Sequence, residues 1–141
     1  MIMEADLFSH AHLSRLAGFT YPDGLSVMQS KRQLLRTGVY MGNCRFYGLA
    51  DAARAILLRR LRALDIRESI AATMIDQVHD LEAATEAFER GGVTSLVVTF
   101  TRSQAGVTAS VNTTPERAGT TLTFDLTGEL LSALETQELT A

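Results

Sequence analysis

The stretch GNCRFYGLADAARAILLRRLRAL, residues 42–64, decides how the chain is read. It opens on Gly42-Asn43, a pair that suits a two-residue hairpin turn with glycine first. Tyr40-Met41 and Cys44-Arg45-Phe46-Tyr47 flank that turn as the arms of a small hairpin. A helix over 49–64 follows, with Leu57, Leu58, Leu61 and Leu64 on its core face and the charge of Arg54, Arg60 or Arg67 directed outward. From Lys31 to Arg67 there are nine basic residues and only two acidic ones, Asp51 and Asp65. A helix that needed only solubility would use glutamate as freely as arginine. The bias points to an anionic partner.

Upstream, Ser9 precedes HAHLSRLA and Gly18 follows it, which predicts a capped helix over 10–17 with a glycine stop. TYPDGLSVMQSKRQLL continues with a second helix over 20–35. Thr20 and Asp23 have capping-box spacing, Pro22 sits in the first turn, and Leu25 and Met28 face inward. Two short helices separated by a few residues read as a helix-turn-helix, and the hairpin makes it winged, over residues 5–65.

Downstream, Asp65 and Glu68 repeat the capping spacing and predict one long helix over 66–90. Met74, Val78, Leu81 and Phe88 form an apolar stripe along it, expected to be a dimer interface. Gly91-Gly92 ends it. Period-two alternation then marks three strands, through Leu96, Val98 and Phe100, through Val107, Ala109 and Val111, and through Leu122, Phe124 and Leu126. Thr127 is expected to cap a last helix carrying Leu130, Leu131 and Leu134. The expected fold class is α+β: an N-terminal winged helix-turn-helix, a long connecting helix, and a small C-terminal three-stranded antiparallel sheet with a final helix over 93–141.

The totals suit this plan. The 141 residues are 46% hydrophobic and 21% charged, as in an ordinary folded domain. One cysteine allows no internal disulfide, and no apolar run approaches the ~20 residues of a membrane span. The start, MIMEADLFSH, has no basic segment of the kind that opens a signal peptide, so the expected location is cytoplasmic. The net charge of −3 hides an asymmetry: residues 1–67 carry +5 and residues 68–141 carry −8. Either the halves have different partners or the charges cluster by chance on solvated faces.

His10, His12 and His79 have no metal-site spacing, and no nucleophile triad, phosphate loop or dinucleotide motif is present. The expectation is a non-enzyme without a cofactor. The basic residues lie on separate elements, as phosphate contacts require: Arg15 on the first helix, Lys31, Arg32 and Arg36 closing the second, and Arg45 on the hairpin. Ser26, Gln29 and Ser30 are short or flexible polar groups suited to base edges. Tyr21 and Asn43 complete the expected DNA-contacting set.

Residues 9–75 resemble the DNA-binding domain of the MerR family of winged-helix regulators. LSRLAGF is similar to that family's first helix and turn. GNCRFYGLADAARAILLRRLRALDI is similar to its wing and the helix after it, and RESIAATM to the next short helix. The resemblance implies that Arg45 and Tyr47 hold phosphates from the wing and that the helix over 20–33 enters the major groove. It also implies that the helix after Asp80 dimerises. Where the family has an arginine and two aromatics, this chain has Ser26-Val27-Met28. The remainder resembles no effector domain. The expected function is a dimeric DNA-binding transcriptional regulator acting on double-stranded DNA. The alternatives are a protein-interaction adaptor that uses the acidic C-terminal half, and a phage-type DNA-architecture or packaging protein.

Overall fold

The computed structural model describes residues 7–21, 24–26, 34–42, 44–113 and 120–139. Gln29, Ser30, Lys31, Arg32 and Asn43, and most of the expected helix over 20–35, lie outside them. Among the described residues the chain is mixed α+β, with five helices and two three-stranded antiparallel sheets.

Strand β1 (Phe8–Ser9) leads directly into α1 (His10–Leu16). Ser9 caps that helix as its sequence predicts: its hydroxyl accepts the His12 N–H at 3.1 Å. Gly18 stops it in the left-handed region, at φ 93°. The hairpin is also as expected, with β2 (Val39–Met41) and β3 (Cys44–Tyr47) joined through Gly42 at φ 68°. The sequence did not announce β1 as a strand. It pairs with the other side of β3, Phe8 opposite Tyr47, so the hairpin is anchored to the start of α1.

Helix α2 (Leu49–Ala63) is the centre of the molecule. Ile56, Leu57, Leu58 and Leu61 are fully buried, and α1, the later helices and the last helix all pack against it. Leu64 is a correction to the expected core face: it is 52% exposed. It is the residue at which the helix stops, so its side chain leaves the buried stripe. Asp65 is a second correction. It does not cap the following helix but closes α2, in the left-handed region at φ 62°. Its N–H reaches the Arg62 carbonyl, and the Ile66 N–H reaches the Leu61 carbonyl. That is the Schellman pattern, with aspartate in the place usually taken by glycine.

The single long helix over 66–90 is not formed. Two short helices replace it, α3 (Glu68–Asp76) and α4 (Leu81–Glu89), with a turn at 77–80. No glycine or proline marks that turn. Packing accounts for it: a straight helix of 25 residues would run about 37 Å and leave α2 behind, whereas the bent pair lays both halves on α2. Met74, Val78, Leu81 and Phe88 consequently lie in the chain's own core, none more than 9% exposed. The expected uncovered stripe for a second copy is therefore absent. Gly91, at φ 78°, ends α4 as expected.

The C-terminal sheet has the order β5-β4-β6, from β4 (Val97–Ser103), β5 (Gly106–Val111) and β6 (Thr120–Asp125). Its register follows the alternation in the sequence. Val98 lies between Val111 and Phe124, and Phe100 between Ala109 and Leu122, on the face toward the core. Helix α5 (Thr127–Leu139) buries Leu130 and Ala133 beside Leu126. Thr127 begins that helix, but its hydroxyl accepts the Leu96 N–H at 3.0 Å, tying the helix start to β4. One hydrophobic core runs from Phe8 through α2 to Ala133.

Candidate nucleic-acid interface

The arginines fall into two sets with different surroundings. Every arginine of α2 has a carboxylate partner. Arg54 is buried, contrary to the expectation that it faces outward. Its Nη1 lies 2.5 Å from Asp51 Oδ1 and its Nη2 lies 3.0 Å from Glu82 Oε1. Arg59 and Arg60 both pair with Glu129 of α5, and Arg60 also lies over the Phe124 ring at 5.3 Å. Arg62 covers the Phe19 ring at 4.4 Å, donates to the Ala17 carbonyl and stands 3.6 Å from Glu68. Arg36, just before the hairpin, pairs with Asp76. All but one of these acids, Asp51, come from residues 68–141. The basic front and the acidic back thus meet each other within one chain.

Arg15 and Arg45 behave differently: neither has a carboxylate partner among the described residues. Arg15 is exposed on the last turn of α1. Arg45 is half-buried on β3, with its guanidinium 5.6 Å from the Tyr40 ring centre and 5.4 Å from that of Tyr47. Both distances are within cation–π range. Its Nε is buried and has no hydrogen-bond partner among the described residues. A β-carbon on Gly38 would stand 2.0 Å from that Nε, so the absence of a side chain at Gly38 lets the guanidinium lie where it does.

The two tyrosines play unequal parts. Tyr40, opposite Arg45 in the hairpin register, is 71% exposed. Tyr47 is only 3% exposed, so its ring serves as a floor for Arg45 instead of reaching outward as the family resemblance implies. Burial pushes its hydroxyl above the ordinary value of 10.0, against the lowering effect of the Arg45 charge. Tyr40 is absent from the expected contact set, although counting back across the Gly42-Asn43 turn places it opposite Arg45. Gly38 carries no comparable signal, because its role comes from a close approach in space.

Other expected contacts are placed as follows. Tyr21 is exposed, with its ring 6.0 Å from that of Phe19. Ser26 is exposed beside the fully buried Leu25, whose N–H reaches the Ser14 hydroxyl at 3.3 Å. Arg36 is exposed but engaged with Asp76. A shallow groove of about 460 Å³ lies elsewhere, between α3 and β5, lined by Ser69, Ile70, Thr73, Met74, Gln77 and Val107. None of these lining side chains offers an acid or a base for proton transfer. No helix among the described residues is long and apolar enough to cross a membrane.

No protein-family model matches the chain, and no curated protein matches it at a significant level.

Proposed function

We propose that this chain is a DNA-binding regulator whose N-terminal part works as a winged helix-turn-helix. The helix pair would meet the major groove, and the hairpin would rest on the phosphate backbone. The observation that carries this reading is the state of Arg45. The arginines of α2 are neutralised by the chain's own carboxylates, whereas Arg45 stands on an exposed hairpin with two aromatic neighbours and, among the described residues, no carboxylate partner. A half-buried guanidinium without an acceptor is a poor structural element and a good phosphate donor. Arg15, on a separate element, would fix the orientation of the duplex together with it. The neutral surface left by the ion pairs on α2 means that few phosphates are contacted, and the affinity for arbitrary DNA is modest.

The test is a salt series of binding to mixed-sequence duplex. Each phosphate contact contributes about 0.9 to the negative slope of log affinity against log salt. A slope of roughly two units or more is expected, because Arg15 and Arg45 have no carboxylate partner among the described residues. Binding that is absent at low salt, or present with no salt dependence, would refute it. An adaptor would give the first result.

A further inference from the structure

Strand β6 is a sheet edge that is open among the described residues. Among the described residues it pairs only with β4, while the opposite edge strand, β5, lies against α3. Five of its six side chains are exposed, including Leu122 at 36%. Such edges normally carry a lysine, a proline or a bulge that discourages further pairing. TTLTFD has none of these, and its only ionisable residue is Asp125 at the end. Threonine and phenylalanine favour the extended state throughout.

The strand is also self-complementary. An antiparallel two-fold pairing centred on Leu122 sets Leu122 opposite its own copy, Thr121 opposite Thr123, and Thr120 opposite Phe124. The existing register extends each of these rows. On the face away from Val98 and Phe100, Ser110, Thr99 and Thr123 form one row and Thr108, Thr101 and Thr121 the next, with Thr99 and Thr101 of the central strand buried and Thr121 and Thr123 of the edge exposed. The two-fold joins the Thr123 end of one row to the Thr121 end of the other in the partner, giving an unbroken line of six hydroxyl residues. On the core face, the row of Ala109, Phe100 and Leu122 meets its own copy at leucine. No charge faces a like charge in any of these pairs. A one-residue slip would set core-facing residues opposite outer-facing ones, which the pleat forbids.

We propose that two copies of this chain associate through β6, in this register, to form a six-stranded sheet. The occupant of the edge is a second copy because Thr121-Leu122-Thr123 reads the same in both directions, so that self-pairing sets leucine on leucine and threonine on threonine at the centre of the edge. An unrelated strand has no reason to offer leucine at the centre and threonines on either side of it. The interface does not use Met74, Val78, Leu81 or Phe88, and it stands independently of the DNA-binding reading.

Analytical ultracentrifugation of the full chain tests this. The wild type should sediment as a dimer at about 100 µM. Leu122→Lys sets two cations opposite each other and should weaken association at least about tenfold. Leu131→Lys alters a comparably exposed leucine on α5 and should leave the dimer intact. The register is tested by exposed positions alone, so folding is not at stake. Thr121→Lys with Thr123→Lys opposes like charges across the two-fold and should give monomers. Thr121→Lys with Thr123→Glu opposes unlike charges and should keep the dimer. A monomeric wild type overturns the proposal, as does a dimer that survives the double lysine change. Equal behaviour of the two double variants overturns the register.

Discussion

Arg54 lies one helical turn beyond Asp51, and its Nη1 is 2.5 Å from Asp51 Oδ1, with both side chains shut off from solvent. The pair does more than join two turns of α2. The Asp51 carboxylate also accepts the backbone N–H groups of Arg36 and Thr37 and the Thr37 hydroxyl, at 2.7–3.0 Å. The Thr37 hydroxyl in turn accepts the Gly48 N–H, directly before the helix. Asp51 therefore fixes the segment that enters the hairpin, and Arg54 connects it through Glu82 to α4. Together with the pairing of β1 and β3, this carboxylate fixes the hairpin relative to the body of the protein.

Asp51→Ala should destabilise the fold by about 3–5 kcal/mol, because it leaves the buried Arg54 guanidinium with Glu82 alone and takes the acceptor from three hydrogen-bond donors. Adding Arg54→Met should recover part of that loss. Urea unfolding of the three proteins measures both effects. A loss below about 1 kcal/mol would show that the network is not closed to water.

His12 predicts a pH dependence of stability. It is buried beside the Phe8 ring, and burial, then the nearby Arg15 charge, holds it below its ordinary 6.5. The unfolded chain takes up a proton near that ordinary value while the folded chain resists it. Stability is thus full above about pH 6.5 and declines as pH falls through the window down to the lowered value of the folded state. Thermal melts of wild type and His12→Gln from pH 8 to pH 5 should diverge in slope below that point. Parallel curves would remove His12 from the account.

Much of this arrangement is legible in the sequence, and the failures have definite physical causes. The helix cap at Ser9, the stop at Gly18, the hairpin at Gly42 and the alternation of Val98, Phe100, Leu122 and Phe124 are local signals, and each produces the element it predicts. The turn at 77–80 is not local. It forms because α2 offers a surface that only a bent pair of helices can follow, and the residues at 77–80 do not announce it. The charge asymmetry was legible as a fact but not as a meaning. Arg59 and Glu129 are 70 residues apart, and only the fold brings α5 onto α2. Tyr40 and Gly38 bear on the candidate site only through the position of the Arg45 side chain, which the fold sets.

Gly38→Ala should separate the fold from the binding surface. The new methyl group would displace the Arg45 side chain, which is flexible and can move, so stability should change by no more than about 0.5 kcal/mol. DNA affinity should fall about as far as it does in Arg45→Ala, and the double variant should be no weaker than either single one. Circular dichroism and a binding titration measure the two quantities. Independent, additive losses would mean that Gly38 does not act through Arg45.

The arginines divide into those paired with the chain's own carboxylates and those, such as Arg45, without such a partner among the described residues. Arg45→Ala and Arg60→Ala, measured side by side in the salt series, distinguish the two sets. Arg60 sits in the heart of the basic cluster but is engaged by Glu129 and Phe124. Arg45→Ala should lower the magnitude of the salt slope by about one unit and weaken binding to all sequences alike. Arg60→Ala should leave the slope unchanged and cost only about 1 kcal/mol or less of stability. Equal slope losses in both variants, or a loss in Arg60→Ala alone, would overturn this division.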